Sequence, residues 1–195
     1  MERPILFSGS MVKAILAGNK TMTRRVIKSK TLDRFINLIW NPNENLSLSP
    51  YQVGDILWVR ETWNCLYVPI NNKWHYWHKA GDEFEDSADE KWRPSIFMPK
   101  VAARLFLKVK DIRVERVQDI TEEDAISEGI EWSELSKCAF TPPIKLHQKW
   151  PISYPFTTAK EAFKNLWDSI NSKRGYGWDL NPWVWVVEFS VTKGG

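Results

Sequence analysis

The chain has 195 residues, enough for one domain with a real core, and its 43% hydrophobic and 26% charged content excludes long disordered tracts. Its two cysteines, Cys65 and Cys138, stand in no metal-like spacing, and no apolar run is long enough for a signal peptide or a membrane span. The expectation is therefore a soluble, cytoplasmic protein without a disulfide framework. The net charge of +3 is uneven: residues 1–50 carry 8 Lys/Arg against 3 Asp/Glu, a local +5, so the rest sums to −2, a balance that suits contact with phosphates as well as a plain solvated face.

"RPILFSG" reads as a short strand ending in a turn. "SGSMVKAILAGN" reads as a helix capped by Ser8 or Ser10, with Met11, Val12, Ile15 and Leu16 as its apolar stripe and Gly18 as its stop. "KTMTRRV" is extended, and alternation places Thr21, Thr23 and Arg25 on one face, with Lys20 at the corner. Residues 28–50 lack periodicity and read mostly as loop. "VGDILWVRETW" gives a turn and a strand, "KWHYWHKA" another strand, and residues 82–90, with six acids, a solvated loop. "RLFLKVKDIRVERV" is a long strand. "DITEEDAISEGI" is a short helix with Thr121 as N-cap and Gly129 as stop. Residues 131–156 read as a Pro-rich insertion loop, "TTAKEAFKNLWDSINSK" as an amphipathic helix, and "NPWVWVVEFSV" as a strand buried on both faces. No repeat or linker divides the chain. Short strands with short helices at the rims suggest a small, partly closed α+β barrel.

Several chemistries lack their signatures. No phosphate-cradling Gly-rich loop occurs, and no "GxSxG" marks a serine nucleophile. His75 and His78 point to opposite faces of a strand, so no metal site is expected. What remains is "LAGNKTMTRRV". A Thr hydroxyl is a weak nucleophile that needs a base. A lysine serves if burial or neighbouring cations leave some neutral amine, and Arg24 and Arg25 supply cations beside Lys20. A carboxylic acid is the usual group to protonate the leaving atom. From the pattern alone, a threonine-rich strand with basic residues is more often plain surface. The 12 Trp, 9 Phe and 5 Tyr fill a core or stack on bases, Trp63 of "WNCLY" among them.

"GNKTMTRR" resembles the G-x-K-T-x-T-x-R signature of the ASCH domain, a branch of the PUA-like barrel superfamily, with Lys20, Thr21, Thr23 and Arg25 on its marked positions. "GDILWVRETW", "DITEEDAISEGI" and "NPWVWVVEF" resemble the family's following strand, short helix and closing strand, in the family's order, with Glu128 in the place of its marked acid. With "ERPILFSGSMV", "WRPSIFMP" and "LWDSIN", the whole chain looks like the longer ASCH proteins of tailed phages and prophages.

The resemblance implies a single PUA-like domain over residues 1–195, with insertions near 28–50, 66–95 and 131–156. It implies a nucleoside or RNA partner, no cofactor, and amide hydrolysis on a base like N4-acetylcytidine. Lys20 would be the base, Thr23 the nucleophile and Glu128 the acid, with Thr21, Arg24, Arg25 and Trp63 binding substrate. The alternatives are a non-catalytic RNA- or modified-base-binding module on the same pocket, and a phage accessory protein that binds a host protein through the acidic 82–90 loop.

Overall fold

Strand β1 (Glu2–Leu6) leads into helix α1 (Gly9–Leu16) in a computed structural model that describes residues 1–28, 46–81, 91–133, 139–141 and 156–193. The acidic 82–90 stretch and most of the 28–50 insertion lie outside the described residues. Ser8, not Ser10, is the N-cap: its side chain accepts the Met11 N–H. Gly18, at φ 81°, ends the helix as expected. The otherwise unpaired Ala14 carbonyl then accepts the N–H of both Asn19 and Lys20. The chain turns there into β2 (Met22–Val26).

Strands β3 (Ile56–Arg60), β6 (Phe106–Arg116) and β9 (Trp183–Thr192) complete a five-stranded sheet in the order β1-β3-β6-β9-β2, parallel only between β1 and β3. The fold is α+β. β9 is flanked by β6 and β2 and packs on both faces. Trp185, Val187 and Phe189 join Val12 and Ile15 of α1, while Val184 and Val186 join Phe163, Leu166 and Trp167 of helix α3 (Ala159–Asn171). That double burial is why "WVWVV" shows no polar face. Helix α2 (Glu122–Ser127) adds Ala125 to the second cluster, and its Thr121 side chain caps the Asp124 N–H.

The long strand is less regular than its sequence suggests. A bulge between Val109 and Asp111 shifts the register, so the buried positions change from Leu107 and Val109 to Ile112 and Val114. The switch from odd to even positions was the readable sign of it. Residues 131–156 are also not loop throughout. Strands β7 (Glu131–Ser133) and β8 (Ala139–Thr141) pair antiparallel, three residues each, too short to show a period of two. Strands β4 (Trp63–Val68) and β5 (Lys73–His78) form the remaining hairpin.

β1 and β2 are the two ends of the strand order, yet they approach each other. Arg25 Nη2 in β2 donates to the Leu6 carbonyl at the end of β1, 2.7 Å away. The sheet therefore curls until one side chain bridges its ends, in keeping with the partly closed arrangement expected.

Gly129 joins α2 to this framework at φ 95°. A Cβ there would lie 3.2 Å from both Ala14 Cβ and Lys20 Cβ. Gly129→Ala combines a left-handed conformation with two tight contacts. It should cost about 2 kcal/mol and lower the melting temperature by roughly 4–8 °C. A thermal melt equal to that of the parent would show that the turn relaxes freely.

Candidate functional site

The start of β2 and the end of α2 are stitched together by the backbone. Lys20 and Glu128 form an isolated antiparallel bridge, and the Thr21 N–H donates to the Ser127 carbonyl. This pairing places Lys20 and Glu128, 108 positions apart, side by side. The Lys20 side chain is fully buried. Its Nζ donates to the Met22 carbonyl at 2.7 Å, the Glu128 carbonyl at 2.8 Å and Glu128 Oε2 at 2.6 Å. An ammonium has three N–H groups, and these acceptors take all three.

Glu128 is the hinge of a larger charge cluster. Its Oε1 lies 3.4 Å from Arg24 Nη1. Arg24 is likewise buried, and its Nη2 pairs with Asp124 at 2.5 Å and Glu115 at 3.1 Å. Arg113 closes the cluster through Asp124, at 2.7 Å, and Glu115. Three cations face three carboxylates, so the cluster is neutral in sum and its buried members are paired, as burial of charge requires. Arg113, Glu115 and Asp124 were not foreseen as part of the site. For Arg113 and Glu115 the available signal was "DIRVERV", where the two stand two apart inside a strand of a buried sheet.

Burial acts on Lys20 most strongly and pulls its pKa below 10.5, aided by Arg25 and Arg24; Glu128 opposes this through its charge and hydrogen bond. With the folded value below the unfolded one, the unfolded chain binds more protons in the window beneath 10.5. This contribution to stability therefore rises with pH through that window and is lost as pH falls through the folded pKa. Lysine-selective nitrogen NMR should show Lys20 titrating below the surface lysines. Titration at or above their pH would contradict the burial argument.

Thr23 follows on β2, opposite Val187 of β9, and is 4% exposed. Among the described residues β2 pairs with β9 alone, and β2 residues line a cavity of about 870 Å³. Thr23, Arg24, Arg25 and Glu128 all line it. Phe7, Tyr51, Phe163, Trp167, Tyr176 and Trp185 form much of its wall. Lys20 is not in the lining; it stands behind Glu128. Thr21 is exposed and outside the lining. Trp63 lies elsewhere, 5% exposed in an apolar cluster with Met98 and Ala102. The aromatic wall thus comes from residues that sequence reading did not single out, because α3 and the chain after it approach β2 only in the folded molecule. Nor do the histidines meet: His75 is exposed, whereas His78 is buried with Nε2 2.8 Å from the Ala102 carbonyl.

The chain is similar to an ASCH domain. That solved structure, from Lactobacillus crispatus, shares 12% identity with a TM-score of 0.45, covering 99% of this chain and 80% of the other. The hypothetical protein PH0355 is similar at 15% identity and a TM-score of 0.40, over 98% of this chain and all of its own. A protein from Enterococcus faecalis, of the DUF984 family, is similar at 8% identity and a TM-score of 0.43, over 99% of this chain and 77% of its own. No family model and no curated protein matches the sequence. Among the described residues no helix is long and apolar enough to cross a membrane.

Proposed function

We propose that this cavity binds RNA or a modified nucleoside and that Thr23, Glu128 and Lys20 hydrolyse an N-acyl amide on the base, as on N4-acetylcytidine. The observation that supports this most directly is the placement of Thr23 and Glu128 on the wall of one aromatic-lined cavity, with Lys20 in hydrogen-bond contact with Glu128. The aromatic side chains suit stacking on a base.

The buried pair supplies both proton-handling groups. A proton passed from the Lys20 ammonium to the Glu128 carboxylate yields a neutral amine and a carboxylic acid, and burial disfavours the charged amine. Thr23 Oγ1 then attacks the acyl carbonyl, and its proton reaches the amine through the Glu128 carboxyl, one of whose oxygens takes it as the other returns a proton to Lys20. The carboxylic acid protonates the exocyclic nitrogen as the C–N bond breaks, leaving the acyl group on Thr23. Water, giving its proton to the same pair, releases the carboxylic acid product and restores Thr23. Arg25 stands on the same strand and lines the same cavity, where it binds the substrate.

The test is incubation with a panel of N4-acylated cytidines followed by product mass analysis, expecting cytidine and the free acid. No product from any member overturns the hydrolase reading. A second reading, a binding module without turnover, draws on the three acceptors that occupy every Lys20 proton. Lys20→Arg separates the two. Guanidinium cannot act as a base at neutral pH, so the variant loses turnover in the enzyme, whereas a module tolerates it with affinity retained.

A further inference from the structure

The cavity holds more positive charge than its paired residues account for. Among the described residues its lining includes Arg24, Arg25, Lys28, Arg60 and Arg174 against one acid, Glu128. Arg24 and Glu128 belong to the neutral cluster with Lys20. The other four have no carboxylate within ion-pair distance among the described residues. Arg60 is partly committed, donating to the Ile96 carbonyl at 3.2 Å and stacking over Trp58.

Arg25 is held on a fixed platform. One nitrogen bonds the Leu6 carbonyl, and the guanidinium carbon lies 5.1 Å from the Phe7 ring centroid. Its Nε is buried without a hydrogen-bond partner among the described residues, as are those of Arg24 and Arg60. Burial, with nearby Arg174 adding to it, lowers the Arg25 pKa against the opposing pull of Tyr51 and Glu128. Arg25 and Arg174 thus feel each other as like charges in the same cavity. Arg174 and Lys28 are exposed at its edge, with no hydrogen bond of their own among the described residues.

We infer that Arg25, Lys28 and Arg174 hold a phosphate group of a nucleotide ligand, so that the cavity takes a phosphorylated nucleotide in preference to a free nucleoside. This rests on the base-binding reading above and names its substrate class. A cavity of about 870 Å³ has room for a base against the aromatic wall and a phosphate at the cationic edge. A phosphate dianion balances the uncompensated charges, and the flat guanidinium fork suits it.

The phosphate arises from a mononucleotide or from an RNA backbone, and titration calorimetry distinguishes them. The ligands are cytidine, cytidine 5′-monophosphate, a three-residue oligocytidylate and inorganic phosphate, at low and raised salt. Either phosphorylated cytidine should bind roughly tenfold or more tightly than cytidine, and salt should erode that advantage. The ligand with the larger gain identifies the source. Arg174→Gln should remove most of the advantage. Arg174 is exposed on a short turn, so the variant is expected to fold.

Equal binding of cytidine and both phosphorylated forms overturns the clamp and leaves the base reading standing. An advantage that survives combined Arg174→Gln and Lys28→Gln also overturns the clamp. Binding of inorganic phosphate that weakens with Arg174→Gln, without cytidine binding, supports the clamp and overturns the base reading. Binding of none of the four overturns both.

Discussion

Thr23→Ala should abolish turnover of an N4-acylated cytidine, by about ten-thousand-fold or more, while the protein stays folded. Removing a covalent nucleophile leaves only binding and polarisation to act on the amide, and losses of that order follow, equivalent to about 5.5 kcal/mol in the barrier. The fold should lose far less. Thr23 is buried rather than near the surface, but the change removes a hydroxyl and a methyl, so about 1–2 kcal/mol is expected. Steady-state kinetics beside thermal melts separate the two effects. Nucleoside affinity should change little, because the hydroxyl acts mainly in the transition state. Thr23→Val, which keeps the shape and drops the hydroxyl, should be as inactive as Thr23→Ala. Turnover equal to the parent's in either variant ends the nucleophile assignment.

Glu128→Ala should destabilise the protein by about 3–5 kcal/mol, a large share of a typical folding free energy of 5–15 kcal/mol. The variant leaves a fully buried Lys20 ammonium beside Arg24 with no carboxylate between them. Lys20→Met should cost a similar amount for the converse reason. It orphans the Met22 and Glu128 carbonyls as well as Glu128 Oε2. Lys20→Met combined with Glu128→Ala should cost clearly less than the two single losses added, because no isolated charge remains. Urea denaturation of the four proteins closes the double-mutant cycle, and strict additivity would show that the pair contributes nothing as a pair. Where Glu128→Ala is too unstable to isolate, Glu128→Gln takes its place in both the single and the double variant, keeping an acceptor for Lys20 at smaller cost.

The two results bear on each other. A buried ion pair is weak evidence for stability as such, since apolar side chains of similar volume often do as well. A large coupling together with intact stability in Thr23→Ala would give the pair a structural role that the hydroxyl does not share. Loss of turnover in a folded Glu128→Gln protein would tie the same carboxyl to chemistry.

Much of the architecture is local and was legible in the chain. The stop of α1 needs a residue that accepts φ 81°, and Gly18 provides it. The short helix before Glu128 carries its own cap, Thr121, and its own stop, Gly129. β9 announces its central place by having no polar face. The alternation of "KTMTRRV" separates Thr23 and Arg25 from Met22 and Arg24, and the register against β9 has that alternation. Each of these follows from a residue and its immediate neighbours, so each is written in the sequence.

What the chain does not write locally is which distant groups meet. The bridge between Lys20 and Glu128 sets the proposed base and acid side by side, and the tight turn at Gly129 lets the two segments approach. Lys20 reads as a cation near a corner; packing under α2 removes its water and fixes all three of its protons on named oxygens. Trp63 shows the converse. Its sequence neighbourhood suggested a stacking surface, and packing against Met98 and Ala102 takes it into a separate core. Arg174 gives no sign of function in "NSKRGYG", yet the path of the chain after α3 brings it to the edge of the cavity that holds Thr23. Short-range sterics and hydrogen bonding fix elements, whereas desolvation and charge pairing depend on atoms far apart in sequence, and those the tertiary structure alone decides.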